Sequence, residues 1–595
     1  MKSAAGQQRD RWRDRGLTAL IVIGLGIILA VCFDFYYDLN DDMAMKDILS
    51  GTYTGSPDGH NIQSLYPLGL CISLCYRILP AVPWYGLFLC GCQFFALWLG
   101  VNSFCGLCRD RRQKAVAALL LTAGTGVLFL YEFVFVQYTV TAGLLVCAAL
   151  VRVYRGPRAG SAEFTVYHLV TAAVVGLAFY LRTEIVMLLC PLLGLAVLFR
   201  VAEDWAAIRG GNDRNIKKDD INDTSVRNER IALVKSCGFL LAVMVVILAA
   251  GLIADRAAYG SEEWRRFRQF FDDRTELYDF YGIPSYENNR QFYDSIGLSE
   301  AQYTLLENYN FDLDDDIDTQ MMHEIAVYAS QHQEKSMARR LYESVYAYGY
   351  RFTHGEELIF DLLLVVTYFF LARAALAEKK PLLLGKLALV LGVRTALWLF
   401  LLYRGRAPER VTHPLYLMEL ILLVLLFVSD TDVFRWKKFQ KSAILSMYAV
   451  LFVCTAFLHI GSVKQIYEDR QSVNVQWQLW KQYCRERPEQ FYYLDVYSSV
   501  AYSEKLFSDI SPAYRNFDLP GGWCVKSPLS KQKRQVSGFE SAAEGLLAGR
   551  AYFAADNTRE ERSPDFLTAY FAEKGREITI QETDRCGNFS VYLIR

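Results

Sequence analysis

Blocks of about twenty apolar residues with almost no charge recur along this chain, and that is the length needed to cross the hydrocarbon core of a bilayer. The first runs from Leu17 to Phe33, followed by Trp84 to Phe104, Ala115 to Tyr131, Thr139 to Val153, Phe164 to Tyr180, Ile185 to Val201 and Ile231 to Ile253. Leu358 to Ala377, Leu382 to Leu402, Leu415 to Val428 and Ala443 to Ile460 bring the expected spans to about eleven. In lipid each backbone N–H and C=O must be satisfied within the segment, so the spans are expected to be helical. The predicted fold class is an all-α polytopic membrane bundle.

The basic stretch Arg9, Arg11, Arg13 and Arg15 before the first block resembles a secretory leader, but no small-x-small cleavage site follows. The block is therefore read as a retained first span. With a cytoplasmic N-terminus, residues 1–16, four basic connections fall on the cytoplasmic side, as the lysine and arginine bias requires. These are Arg109/Arg111/Arg112/Lys114, Arg152/Arg155/Arg158, Lys379/Lys380 and Arg435/Lys437/Lys438/Lys441. Counting Ser64 to Leu79 as a further span would reverse them all, so that segment is read as a helix lying in the interface, closed by the turn Pro80 to Pro83.

The expected organisation is thus a multi-pass cell-membrane module over residues 17–460, with external loops over 34–83 and 255–357. An extracytoplasmic tail follows over 461–595. In the tail, Phe491 to Val496, Ala551 to Ala555, Ile578 to Gln581 and Phe589 to Ile594 read as strands, which predicts a small α/β domain. Gly210 to Arg230 is polar and reads as a linker.

A formal net charge of -1 gives no electrostatic footprint for nucleic acid. The cysteines are scattered, and Cys105/Cys108 has no second pair at metal-site spacing, so they read as buried thiols. Asp312 to Asp318 imitates the start of a calcium loop, but Ile317 stands where glycine is needed and His323 where the bidentate glutamate belongs. Gly24 and Gly26 lie inside a span with no third glycine, and no phosphate-cradling loop, zincin motif or nucleophile elbow is present. Trp264, Phe267, Phe270 and Phe271 have helical spacing, which suits a core or a membrane-facing stripe.

Chemistry-bearing residues gather in the expected external turns. The first loop holds Asp34, Asp38, Asp41, Asp42 and Asp47. Carboxylates at a span's end are solvated, paired or used, and Asp41 could equally cap the short helix that runs to Ser50. Arg404, Arg406 and Arg410 stand together in a turn expected on the outer side, against the charge bias. Guanidinium forks there suit phosphate oxygens, or headgroups and ion pairs with Glu409. Arg182 and Glu184 share another turn, where an ion pair would be structural or line a polar cavity. Glu132 with Gln137 and Thr139 is open to the same two readings.

A first span running into an Asp-rich loop with the Asp41-Asp42 pair, an interfacial helix, about a dozen spans and an external C-terminal domain resembles the GT-C superfamily of membrane glycosyltransferases. In topology the chain is similar to protein mannosyltransferases and aminoarabinose transferases. The resemblance implies transfer of a sugar from a polyprenyl-phosphate lipid to an extracytoplasmic glycan, lipid or protein acceptor. It implies Asp41 or Asp42 as the catalytic carboxylate, with Asp34 and Asp38 as alternatives, and Arg404, Arg406 and Arg410 as holders of the donor phosphate. Arg182 and Glu184 would line the site. No fixed cofactor is implied, though a divalent cation is compatible, and no metal ligand is assigned. The competing expectations are a non-enzymatic transporter or flippase of a lipid-linked glycan, and a structural or sensory membrane protein. A transporter calls for ionisable groups at mid-membrane and repeated halves, whereas here Arg394 is the main intramembrane charge and no halves are seen.

Overall fold

The computed structural model describes residues 4–38, 40–108, 110–157, 162–210, 223–333, 335–354, 357–431, 438–507 and 514–595. Parts of the linker over Gly210 to Arg230, and of the basic turns that include Arg109, Arg158, Arg435 and Lys437, lie outside these residues. The described chain forms two compact units: residues 1–35, 86–253 and 340–464, and residues 36–85, 254–339 and 465–595.

The first unit is a helical bundle. All eleven apolar blocks are helical, and among the described residues ten helices are long and apolar enough to cross a membrane. The exception is Arg111–Leu128, whose first turn carries Arg111, Arg112 and Lys114. That block also breaks at Phe129 (φ -114°, ψ 28°) before a short helix, Leu130–Val134. Side-chain oxygens start two of the helices: Asp110 accepts from the amide of Gln113, and Gln137 from those of Thr139 and Val140.

Tyr138–Arg155 is the centre of the bundle, with 89% of its apolar window buried against 6% for Arg227–Ala258, which lies on the periphery. It packs against Ala162–Leu181, Thr183–Gly210 and Glu409–Asp430. The last contact is close enough that a Cβ at Gly143 would fall 2.5 Å from Pro414 Cβ, the small-residue approach used between membrane helices.

The second unit is mixed α/β. Its sheet has five strands, β1 (Phe491–Leu494), β2 (Phe517–Asp518), β3 (Ala551–Asp556), β4 (Ile580–Cys586) and β5 (Phe589–Ile594), in the order β2-β1-β3-β5-β4. The first three are mutually parallel and β5 runs antiparallel to β3 and β4. Strand alternation divides the apolar side chains between two faces. Phe491, Tyr493 and Phe553 join a core built with Leu277, Leu305, Phe311 and Ile325 of the middle segment. Tyr492, Leu494 and Phe589 face Trp477 and Trp480 at the end of the long helix Lys438–Arg485.

The tail is therefore not a self-contained domain. Its sheet has one face covered by helices of the 254–339 segment, which the sequence reading assigned to the membrane module. The first loop joins the same unit. Ile48 and Tyr53 pack with Trp264, Phe267, Cys524 and Leu529, so the 264–271 stripe is core. Ser64 to Leu79 forms the helix Tyr66–Ile78. In the acidic run, Arg534 binds Asp312 at 2.9 Å, Lys574 binds Asp314 at 3.2 Å and Lys526 lies 3.7 Å from Asp315. Those carboxylates are engaged by protein cations.

Candidate functional site

The aspartates of the first loop are set by the helix Asn40–Ser50. Asn40 is its first residue, so Asp41 does not cap it from outside as expected. Asp41 and Asp42 both lie in the first turn, where the helix dipole favours negative charge. Their burial is unusual for carboxylates: Asp41 is 8% exposed and Asp42 fully buried. Asp42 Oδ1 accepts a hydrogen bond of 2.8 Å from the Tyr85 hydroxyl, and the Tyr85 ring stacks on Tyr37 at 5.9 Å.

Asp38 is half-buried and receives Arg470, whose Nη1 donates to the Asp38 carbonyl at 2.9 Å. Asp34 is exposed and belongs to the other unit. Asp47, five residues beyond Asp42, is committed to structure, pairing with Arg515 and, at 2.9 Å, with Lys46. Lys46 also holds Glu504 at 2.6 Å, and Lys481 holds it at 3.0 Å.

In the bundle, Arg404 follows the helix Pro381–Tyr403, Gly405 turns the chain at φ +73°, and Arg410 lies in the first turn of Glu409–Asp430. The three arginines thus occupy one tight connection, and all are partly exposed. Arg182 Nε pairs with Glu184 at 2.9 Å, and its guanidinium lies 5.3 Å from the Tyr138 ring. Glu184 is mostly exposed, so this pair is a surface contact at a helix junction.

The sequence reading noted Arg394 inside the bundle but missed the two carboxylates that meet it. Arg394 donates to Glu419 Oε2, to Asp361 Oδ1 (both 2.8 Å) and to the Tyr348 hydroxyl at 2.6 Å. Tyr368 and Tyr416 donate to the remaining carboxylate oxygens at 2.9 and 3.0 Å. A carboxylate inside each of two apolar blocks was the available signal, since such a group in a span needs a partner.

The helix Met337–Arg351, expected as part of a loop, runs antiparallel to Pro381–Tyr403. Arg340 donates to the Tyr403 carbonyl at 3.0 Å, and eight residues later, about 12 Å along the axis, Tyr348 meets Thr395 at 3.1 Å. Its opposite face, with Leu341, Tyr342, Val345 and Tyr346, is exposed.

Removing one member of such a closed set strands the others. Arg394→Met is expected to cost about 3 kcal/mol and lower the melting temperature of the full chain. Arg394→Met with Glu419→Leu should recover part of the loss. Equal melting of wild type and Arg394→Met would show that the set bears no stability.

Nearby, Glu132 and His413 are buried and hydrogen-bonded to each other. Thr412 and Arg351 both bond Glu357. Gln137 and Thr139, grouped with Glu132 in the sequence, serve the helix start instead. An apolar cavity of about 210 Å³ also lies within the bundle, lined by Leu97, Gly100, Gly124, Ala148 and Leu417 among others. Among the described residues no three His, Cys, Asp or Glu side chains gather as a bound metal ion would need.

No protein-family model, curated protein or solved structure matches the chain.

Proposed function

We propose that this chain is a membrane glycosyltransferase of the GT-C kind, moving a sugar from a polyprenyl-phosphate donor to an extracytoplasmic hydroxyl acceptor. The observation that carries the reading is the adjacent pair Asp41 and Asp42, buried in the first turn of a helix and anchored by Tyr85. A pair used only for solubility would stay hydrated. In the proposed reaction an aspartate takes the proton of the acceptor hydroxyl, the acceptor oxygen bonds to the sugar's anomeric carbon, and the carbon–phosphate-oxygen bond breaks. The lipid phosphate leaves with the bonding electrons. The apolar cavity in the bundle suits a hydrocarbon chain, which supports a lipid-borne substrate.

Arg404, Arg406 and Arg410 keep the donor-phosphate role that the resemblance gives them. Arg404→Ala and Arg410→Ala should each weaken donor binding about tenfold, the worth of one charged hydrogen bond. They should do so mainly through KM, measured as transfer of labelled sugar by the purified protein. Unchanged donor KM in both variants would remove them from the site.

The carrier reading draws on Arg394, Asp361 and Glu419, ionisable groups inside spans as a transporter would have. Their network is closed, however, with each carboxylate oxygen already accepting from Arg394 or a tyrosine. Movement of donor lipid across vesicles without sugar transfer would favour the carrier.

A further inference from the structure

We propose that Arg274, in the same unit as the aspartate pair, is the anion-binding element of a second site whose ligand is a phosphate group. Arg274 lies in the last turn of the helix Glu262–Glu276, just before the chain loosens into a π-turn over Leu277–Tyr281. Interruptions of this kind are frequent at functional positions. Its side chain is 6% exposed. Among the described residues no carboxylate pairs with it, and its Nε has no hydrogen-bond partner.

What surrounds the guanidinium is aromatic: the Phe271 ring centre at 5.2 Å and the Tyr309 ring centre at 5.6 Å. Cation–π contacts return about 0.5–2 kcal/mol each, whereas withdrawing an ion from water costs several. Two other arginines of this unit meet carboxylates, Arg515 at Asp47 and the buried Arg534 at Asp312. Arg274 is built to the same depth without one.

Tyr309 marks the place a second time. It is held at φ +60°, a conformation costly for a side chain of its size. Gly521 packs against it so closely that a Cβ there would come within 1.8 Å of the Tyr309 carbonyl oxygen. The Tyr309 phenol feels both charges, the Arg274 guanidinium as a hydrogen-bonding and attracting neighbour and the buried Asp41 carboxylate as a weaker repelling one. The planar fork of an arginine matches two phosphate oxygens. Assigning the phosphate to a lipid-linked sugar donor rests on the function proposed above; the anion site itself does not.

The test is thermal melting of the full-length protein in detergent, titrated with inorganic phosphate and, separately, with polyprenyl phosphate. Phosphate should raise the melting temperature of the wild type. Arg274→Met should melt no lower than wild type without phosphate, because an unpaired buried charge is not a stabilising group, and should lose at least about tenfold in phosphate affinity. Arg274→Lys, which keeps the charge without the fork, should fall between. A wild-type phosphate response in either variant overturns the site. So does Arg274→Met melting well below wild type without phosphate, since the arginine is then structural. Asp41→Asn should keep the phosphate response, so that lost transfer there is separable from a lost anion site. Displacement of inorganic phosphate by polyprenyl phosphate supports the lipid source, and failure to displace it overturns that source alone.

Discussion

With Asp41 and Asp42 both changed to asparagine, the proposed transfer of sugar from a labelled polyprenyl-phosphate donor is expected to fall by about 10²- to 10⁴-fold, the usual contribution of a positioned general base. The protein still accumulates in the membrane. Asparagine keeps the shape of each side chain, and an amide oxygen at 42 can still accept from the Tyr85 hydroxyl, so packing around the helix is preserved. What is lost is the ability to take a proton, together with a favourable charge at the helix start worth about 0.3–1 kcal/mol per residue. The single variants divide the roles. The base is the residue whose replacement alone reproduces most of the drop in kcat, while its neighbour, acting by position, should move KM more than kcat. Transfer at the wild-type rate by the double variant, with normal accumulation, would remove the pair from catalysis and take the transferase reading with it.

The spans were legible because the bilayer imposes one length and one composition on any helix that crosses it, a constraint satisfied locally in sequence. Where the rule blurred, local chemistry was the cause: Arg111, Arg112 and Lys114 enter the first turn of one helix, and Phe129 ends it early. The Arg182–Glu184 pair was readable because its partners are two residues apart.

The assembly of the second unit was not. Lys46 meets Glu504, and Asp47 meets Arg515, across more than 450 residues of intervening chain, and no periodicity announces such a partner. A two-residue strand, Phe517–Asp518, is too short to show alternation, yet it forms the edge of the sheet beside Tyr492 and Tyr493. The aspartate pair could be found from composition at the end of a span. Its burial could not, because the walls around it arrive from distant segments, as Tyr85 does across 43 residues. The same reason hid Arg274, which among the described residues meets no carboxylate.

Lys533 carries the second large effect, on stability. It is fully buried in the second unit, donating at 2.6 Å to the Phe517 carbonyl with its ammonium 4.1 Å from the Tyr53 ring. Burial lowers its pKa from 10.5 to about 7, further helped by Arg515 and opposed by Asp518, Asp47 and Cys524. Between pH 7 and 10.5 the unfolded chain therefore holds a proton that the folded chain has released, and stability must rise with pH across that window. Below pH 7 the whole penalty applies, roughly 5 kcal/mol at most. Lys533→Met removes it, while forfeiting the bond to Phe517 and the ring contact, about 1–2 kcal/mol together. The variant should thus be more stable than wild type by about 3 kcal/mol at pH 6, with the advantage shrinking steadily toward pH 9. Tyrosines and thiols whose pKa burial raises, such as Tyr514 and Cys524, both to about 12, pull the other way at high pH, since they stay protonated only in the folded chain. Removing Lys533 takes away an attraction that lowers the Cys524 pKa, so both groups stay protonated in the fold through pH 9 in either protein and the difference between the two profiles isolates the lysine. Hydrogen exchange of the 514–540 peptides in the full-length protein, followed from pH 6 to 9 and corrected for intrinsic rates, measures that difference. Parallel profiles would mean that Lys533 keeps its proton in the fold, stabilised by Asp518 and Asp47 more than burial penalises it.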